Sequence, residues 1–357
     1  LTSATGAIAS ASDATVSNLN ATDTLLATVT FNDVLTVNTL GGTPSLALII
    51  GTSTVQATYA SGSGTNALIF STTVAAGQND SNGVSLELNA LSLNGATLQD
   101  ANGNNATLTS TVVADNSKYL VDTTRPTVAV TSDTATLISA QTATITFTFS
   151  EDPGSSFAWN GNAGDLVISG GTLGALSTTG NPLTRTALLT PASGVSAGTA
   201  NVAIVLNSYT DAAGNIGLEA SAGVTDKSEN ISVNTTTTTV SSVALLSATG
   251  IQNSLLNQGD VVSVAVNFTE AVFLNANAGT PSLGITIGST AVTALYASGS
   301  GTAQLVFNYT ILNGQTDVNG IAINANSLSL NGKVLTDTAG NTPTLSFTAV
   351  ADNASYM

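Results

Sequence analysis

Three loops of the form Asp-x-x-Gly-Asn recur along the chain, and their side chains are of the kind that binds hard metal ions. They read DANGN at 100–104, DAAGN at 211–215 and DTAGN at 337–341. A second acid lies upstream of each loop, two residues after a phenylalanine: Asp33, Glu151 and Glu270. Carboxylate and amide oxygens suit calcium, which takes six to eight oxygen ligands. The sequence therefore predicts that each domain brings its loop and its upstream acid together around a calcium ion.

The linker between domains is expected to add one more ligand to these sites. The alternation of a strand aims each upstream acid inward, where a carboxylate without a partner is costly. The predicted sets are Asp33, Asp100 and Asn104 in the first domain; Asp122, Glu151, Asp211 and Asn215 at the first junction; and Asn234, Glu270, Asp337 and Asn341 at the second. Because Asn234 stands where the first junction has Asp122, we expect weaker calcium binding at the second junction.

Other interpretations of the same residues stay open. Asp-x-x-Gly-Asn is also favourable turn chemistry, because Asp and Asn cap turns and Gly accepts a positive φ. Arg125 could pair directly with Glu151 and weaken the first site. Paired carboxylates also serve glycosidases. Such enzymes need aromatic side chains for sugar stacking, and this chain has one Trp. Recurrence in three places also argues against a single active centre.

The composition excludes several classes of function. The chain has 357 residues with 21 acids, 5 bases, no His and no Cys, and its net charge is −16. Absence of Cys removes disulfides and thiolate sites, and absence of His removes the commonest general base. The negative charge repels nucleic acid and anionic lipid. No apolar run approaches the roughly 18 residues of a membrane span. We therefore expect no enzyme, no nucleic-acid partner and no membrane span.

An internal repeat divides the chain. GTPSL at 42–46, YASGSGT at 59–65 and LSLNG at 91–95 each recur 237 residues later. The first and third parts are therefore near copies, and the middle part is a shorter, diverged relative. We predict three domains, at 1–122, 123–234 and 235–357.

Each predicted domain is built from strands. Leu25, Ala27, Val29 and Phe31 alternate with polar or small residues, which is typical of a half-buried strand. Further strands are predicted at 45–50, 54–60, 66–74, 84–93 and 107–113. About seven short strands separated by turns predict an all-β fold of three tandem immunoglobulin-like β-sandwich domains.

Several motifs together carry a family resemblance. The series GQ-x-D-x-NG, LSLNG, D-x-x-GN, ADN-x-x-Y and VDTT-x-P resembles the bacterial immunoglobulin-like repeats of large cell-surface adhesins and related surface-layer and filament proteins. The resemblance implies secretion, tandem arrangement and frequent calcium dependence. We expect an extracellular structural protein of a bacterial surface, as a lattice, stalk or filament. Its partners would be copies of itself or further repeats of a longer chain. A ligand-binding adhesin module is the alternative.

The two ends of the chain suggest a further contact. The third domain opens with the strand TVSSVAL at 239–245, and we expect the first domain to lack it, because LTSATG at 1–6 resembles LLSATG at 245–250 instead. A missing first strand exposes an edge that invites strand addition by a neighbouring subunit. The candidate interface is Leu1, Thr2, Ser3, Ala4, Thr5 and Gly6. The simpler interpretation is that the chain is a piece of a longer one.

Overall fold

The fold is all-β, as predicted. The computed structural model describes residues 4–11, 18–218, 228–276 and 278–357, and these residues form strands and loops without an α-helix. In the described part of the chain, no helix has the length and apolar character needed to cross a membrane.

The first domain is a strand-rich unit around one apolar cluster. Its strands are β1 (Ala4–Ala11), β2 (Asn18–Leu19), β3 (Thr24–Asn38), β4 (Ser45–Ile50), β5 (Ser53–Ser61), β6 (Thr65–Thr73), β7 (Ser85–Ser92), β8 (Thr97–Gln99) and β9 (Leu120–Val121). One sheet runs in the order β1-β3-β6-β5-β4-β7, with β8 also paired to β3. The short strands β2 and β9 pair in parallel where the chain leaves the domain.

A bulge in β3 decides where its acid lies. The strand pairs with β6 from Thr24 to Thr30, and after a register shift it pairs with β8 from Thr36. The alternation of buried residues stops at the shift, and Asp33 is exposed. The prediction that Asp33 points inward is therefore wrong, because a bulge breaks the two-residue period from which it was inferred.

The leading strand of the first domain is present. β1 pairs antiparallel with β3, and Ala4, Thr5 and Gly6 lie opposite Phe31, Thr30 and Val29. The prediction that this strand is missing is wrong, so these three residues do not form an open edge for strand addition at β3. Leu1, Thr2 and Ser3 lie outside the described residues. The matching segment of the third domain lies 237 residues later, where Ala244, Ser247 and Ala248 correspond to Ala7, Ser10 and Ala11. The resemblance of LTSATG to LLSATG, at a spacing of 244 residues, concealed this match.

One further strand is absent from its predicted place. Residues 107–112 lie outside strands, and Val113 makes an isolated bridge with Leu86. Asn89, inside β7, has a φ of 53°. Its side-chain oxygen accepts a hydrogen bond from the Ser110 amide at 3.0 Å. This contact ties the segment to β7 through a side chain instead of a regular ladder.

The second domain has two separate sheets. Its strands are β10 (Val128–Ser132), β11 (Thr136–Ile138), β12 (Ala143–Phe149), β13 (Leu166–Ser169), β14 (Gly171–Leu173), β15 (Ser177–Thr178), β16 (Thr184–Pro191), β17 (Gly198–Ile204) and β18 (Ser228–Asn234). One sheet has the order β10-β12-β16-β14, with β15 on β16, and the other has the order β11-β18-β17-β13.

The third domain repeats the topology of the first. Its strands are β19 (Val240–Thr249), β20 (Val261–Leu274), β21 (Ser282–Ile287), β22 (Thr290–Ser298), β23 (Thr302–Thr310), β24 (Ile321–Ser329), β25 (Leu335–Asp337) and β26 (Val350–Asn353). The sheet order is β19-β20-β23-β22-β21-β24-β26, with β25 on β20. β19 occupies the place that β1 has in the first domain.

Three apolar clusters form the cores. They draw their buried members from 19–121, 128–233 and 262–335, so each lies within one predicted domain. Phe31, Phe149 and Phe268, the residues that precede the upstream acids, are all buried. The domain boundaries themselves stay predictions.

Candidate metal centre at the domain junctions

Three carboxylates from three separate segments meet between the first and second domains. Asp122 follows β9 in the linker, Glu151 follows the end of β12, and Asp211 opens the DAAGN loop. One ligand oxygen from each lies within 4.8 Å of those of the other two. Asp211 is buried, and the other two are half-buried. Across the described residues, no other group of three or more acidic, His or Cys side chains meets this distance.

The loop holds its own shape through Asp211. The Asp211 Oδ1 atom accepts hydrogen bonds from the Ala213 and Asn215 amides, both at 2.9 Å. The Gly214 amide donates to the Asp211 carbonyl at 3.2 Å, and Gly214 has a φ of 87°. The loop is therefore a tight turn, as the alternative interpretation of the motif expects, and the turn presents the Asp211 carboxylate to the junction.

Direct hydrogen bonds attach this loop to the preceding domain and linker. The Asn20 Nδ2 group donates to the Ala213 carbonyl at 2.8 Å. The Asn215 Nδ2 group donates to the Asp122 carbonyl at 2.9 Å. The linker residue Arg125 donates from Nε to the Ile216 carbonyl at 2.7 Å. These contacts fix the linker against the loop and thereby hold Asp122 near Asp211.

The electrostatics of the cluster disfavour its fully ionised form. Burial raises the pKa of Glu151 above its ordinary value of 4.5, and the neighbouring charges of Asp122 and Asp211 raise that pKa further. Each of these causes penalises the charged carboxylate. A cation placed among the three groups would reverse the penalty.

The donor set fits calcium. Ligand oxygens lie 2.3–2.6 Å from a calcium ion, so two oxygens on one ion are at most about 5 Å apart. The spread of 4.8 Å among the three carboxylates falls within this limit. Asp122 and Glu151 also line a cavity of about 380 Å³, which has room for water molecules that would complete the coordination shell.

The second junction is arranged differently. Asp337 and Asn341 are buried, at 3% and 1% exposure, whereas Glu270 is half-buried. The Asn341 Nδ2 group donates to the Asn234 carbonyl at 3.2 Å, and its Oδ1 atom accepts from the Ser139 amide at 2.7 Å. Asn341 thus joins the third domain to both the linker and the second domain. With Asn234 in the linker, this junction has one carboxylate fewer than the first.

The first-domain set is only partly brought together. Asn104 donates to Asp100 from its amide at 2.9 Å and from Nδ2 at 2.8 Å. These hydrogen bonds lower the pKa of Asp100 because they favour the ionised form. Asp33 is exposed on the bulge of β3.

Three residues at the junctions were not predicted from the sequence. Asn20 and Ser139 reach the following domain's loop from the preceding domain, and Thr238, at 0% exposure, donates to Asp337 Oδ2 at 3.4 Å. Asn20 lies in the motif LN-x-x-D at 19–23, which recurs at 256–260 and was a usable signal, whereas Ser139 belongs to no repeated motif. Thr238 lies just past the four residues, VNTT at 233–236, that match VDTT of the first linker.

The middle of the chain is similar to a known family of protein domains. A family model described as "Bacterial Ig-like domain" matches residues 122–233. Comparison with curated protein sequences gives no match.

Three solved structures illustrate the structural likenesses. The Escherichia coli adhesin FdeC has 13% identity over 98% of this chain and 96% of that chain, with a TM-score of 0.32. A titin I-band fragment has 9% identity over 93% of both chains, with a TM-score of 0.31. A putative membrane-anchored protein from Corynebacterium diphtheriae has 12% identity over 99% of this chain and 92% of that chain, with a TM-score of 0.22. TM-scores this low support no inference about function.

Proposed function

We propose that the chain is a structural segment of a bacterial cell-surface protein whose domain junctions are stiffened by calcium. The match of residues 122–233 to a bacterial Ig-like domain model supports this proposal. The segment belongs to an extracellular lattice, stalk or filament. Its acidic groups serve assembly and not catalysis, because they recur at successive junctions instead of gathering in one cleft.

The observation that carries the proposal is the convergence of Asp122, Glu151 and Asp211 within 4.8 Å. One of these groups comes from the linker and two come from the second domain. An ion bound by all three therefore restrains the linker relative to the domain that follows it. The same loop is hydrogen-bonded to Asn20 of the first domain, so the restraint extends across the junction.

The energy available is small but sufficient for this role. A ligand that binds only the folded, aligned state stabilises it by RT ln(1 + [L]/Kd). At the affinities of extracellular modules, about 10⁻⁴–10⁻³ M, 1 mM calcium contributes about 0.4–1.4 kcal/mol per site. This free energy restricts a hinge, whereas each domain already has its own apolar core to hold its fold.

Calcium binding to the whole chain tests the proposal. We expect isothermal calorimetry to show binding in the range of 10⁻⁴–10⁻³ M, with the strongest site abolished or weakened at least tenfold in Glu151→Gln. Asp33→Asn is the matched control, because Asp33 follows its phenylalanine at the same spacing but is exposed. Equal calcium binding by the wild type and Glu151→Gln would refute the assignment of the first junction.

A further inference from the structure

The chain enters the second domain through two consecutive strands that belong to different sheets. β10 (Val128–Ser132) pairs with β12 in one sheet, and β11 (Thr136–Ile138) pairs with β18 in the other. Only the short segment 133–135 connects these two strands. The entry of the chain is therefore attached by backbone pairing to both sheets, and β11 lies directly beside β18, through which the chain leaves.

The relative direction of β11 and β18 decides how they respond to tension along the chain. The two strands are parallel, with Thr136–Ile138 opposite Ser232–Asn234. Tension from the first domain pulls β11 toward its N-terminal end, and tension from the third domain pulls β18 toward its C-terminal end. The strands are therefore driven in opposite directions along one axis, which places their hydrogen bonds in shear.

Shear acts on all hydrogen bonds of a ladder at the same time. The bonds of a parallel pair are evenly spaced along the strands, so the strands cannot slide without breaking them together. A force across the strands would instead separate one residue pair after another. Because each hydrogen bond is weak on its own, the direction of the force determines how much of it the pair resists.

β10 is placed in shear as well. It runs antiparallel to β12, and tension on the linker draws it along its own axis past that strand. Ahead of it, the Pro126 carbonyl accepts a hydrogen bond from the Leu218 amide at 2.8 Å. Val128 and Leu137, one from each entry strand, are 2% and 1% exposed. Sliding either strand thus also pulls a core side chain out of its packing.

The exit strand is held more firmly than the entry strands. β18 lies between β11 and β17, and it pairs with β17 from Ser228 to Val233. The Ser232 amide donates to the Ala135 carbonyl at 3.0 Å, which attaches β18 to the entry side. The first domain has a similar arrangement, in which β2 pairs in parallel with the exit strand β9. Rupture under tension should therefore begin at β10 and β11.

We infer that the second domain carries tension along the chain, and that β10 and β11 form a clamp that opposes this tension in shear. The source of the tension is a neighbouring domain of the same chain that is pulled away. This function goes beyond the stiffening of a junction, and it depends neither on calcium nor on the three clustered carboxylates.

Single-molecule force spectroscopy with two directions of pulling tests the clamp. The chain has no Cys, so pairs of introduced cysteines can carry the handles. Thr124→Cys and Thr237→Cys, at exposed positions in the two linkers, pull the domain along its chain. The matched control is Thr142→Cys with Thr237→Cys, because both positions lie just past the C-terminal ends of β11 and β18 and pull them apart from one end.

We expect the force of rupture along the chain to be about twofold or more above that of the control pair at the same loading rate, because forced unfolding follows the barrier of the path that is pulled. Equal forces in the two directions would overturn the inference. All measurements are made with a chelator, so that a failure of the clamp is distinct from a failure of the metal site.

Two proline variants locate the resistance within the pair. Ser232→Pro removes the N–H group that donates to Ala135. Asn230→Pro is the matched control, since its N–H group points to the same side of β18 but lies ahead of the pairing with β11. We expect Ser232→Pro to lower the rupture force along the chain by about a third or more relative to Asn230→Pro. Equal forces in the two variants would contradict the clamp, and the comparison of pulling directions decides the inference even where Ser232→Pro does not fold.

Discussion

Replacing Glu151 by Gln is expected to raise stability without calcium and to reduce the stability that calcium adds. Without the ion, the carboxylate lies close to two others, and the substitution removes its charge from this cluster. With the ion, the same substitution removes a ligand. A residue with a purely structural role would shift stability by the same amount under both conditions.

The size of the calcium-free effect follows from the geometry. Two unit charges 4.8 Å apart repel by about 1 kcal/mol in water and by about 3.5 kcal/mol at an effective dielectric constant of 20. Because Glu151 is half-exposed, the lower end of this range applies. With two neighbouring charges, we expect Glu151→Gln to stabilise the calcium-free second domain by about 1–2 kcal/mol at low salt, and added salt to reduce the gain.

The calcium-bound effect has a similar size and the opposite sign. At 2 mM calcium, the wild type should gain about 0.6–1.8 kcal/mol over its calcium-free state, and Glu151→Gln should gain much less. Calcium should therefore reduce or reverse the difference in unfolding free energy between Glu151→Gln and the wild type.

Trp159 provides the assay. It is the single tryptophan of the chain and packs against the second-domain core, where its Nε1 group donates to the Leu173 carbonyl at 3.2 Å. Urea unfolding followed by tryptophan fluorescence thus reports on the domain that contains Glu151, and Asp33→Asn serves as the control in another domain. The reasoning is refuted if Glu151→Gln lowers stability without calcium, or if calcium stabilises both proteins equally.

Four further predictions concern the same junctions. The pKa of Glu151 is raised, so the folded state binds the Glu151 proton more tightly than the unfolded state does. The free energy of unfolding without calcium should therefore fall as pH rises from 4.5 through the raised pKa. Urea unfolding at several pH values checks this trend. Over the same pH range, the calcium affinity measured by calorimetry should rise with pH. If neither the unfolding free energy nor the calcium affinity changes with pH, both predictions are contradicted. Gly214 has a φ of 87°, and an added Cβ would lie 3.1 Å from Asn20 Nδ2, whereas Gly103 has a φ of 81° and no atom within 4 Å of that point. Gly214→Ala should lower the free energy of unfolding, measured in urea, by about 1 kcal/mol more than Gly103→Ala does. Equal losses would show that the contact between Asn20 and the DAAGN loop does not stabilise the junction. Asn234→Asp should strengthen calcium binding at the second junction, and Asp122→Asn should weaken it at the first; calorimetric affinities that do not change would exclude the linker as a ligand source.

The repeating elements of the fold were accessible from sequence because their physical signals are local. The alternation through Leu25, Ala27, Val29 and Phe31 reflects a strand with one buried face, and all four residues are buried. The grouping of Asp122, Glu151 and Asp211 was also predictable, since each Asp-x-x-Gly-Asn loop recurs downstream of its acid, by 67 residues in the first and third domains and by 60 in the second.

The features that the sequence did not predict depend on irregularities that the two-residue alternation of a strand does not reveal. The bulge between Thr30 and Leu35 turns Asp33 outward, although its spacing from Phe31 equals that of Glu151 from Phe149. β1 was missed because LTSATG at 1–6 also resembles LLSATG at 245–250, whereas β1 pairs with β3 as β19 pairs with β20, at a spacing close to 237 residues. The contact of Asn20 with the DAAGN loop joins residues 193 positions apart, and no local pattern marks it.

The distance between the first and second domains in solution tests the central claim most directly. The chain has no Cys, so Ser61→Cys and Ser177→Cys, both at exposed positions, place one spin label on each domain. Pulsed electron–electron double resonance should give a broad distance distribution with a chelator and a narrow one at 2 mM calcium. In the variant that also carries Glu151→Gln, calcium should not narrow the distribution. A distribution of the same width with and without calcium would contradict the proposal that the ion stiffens the junction.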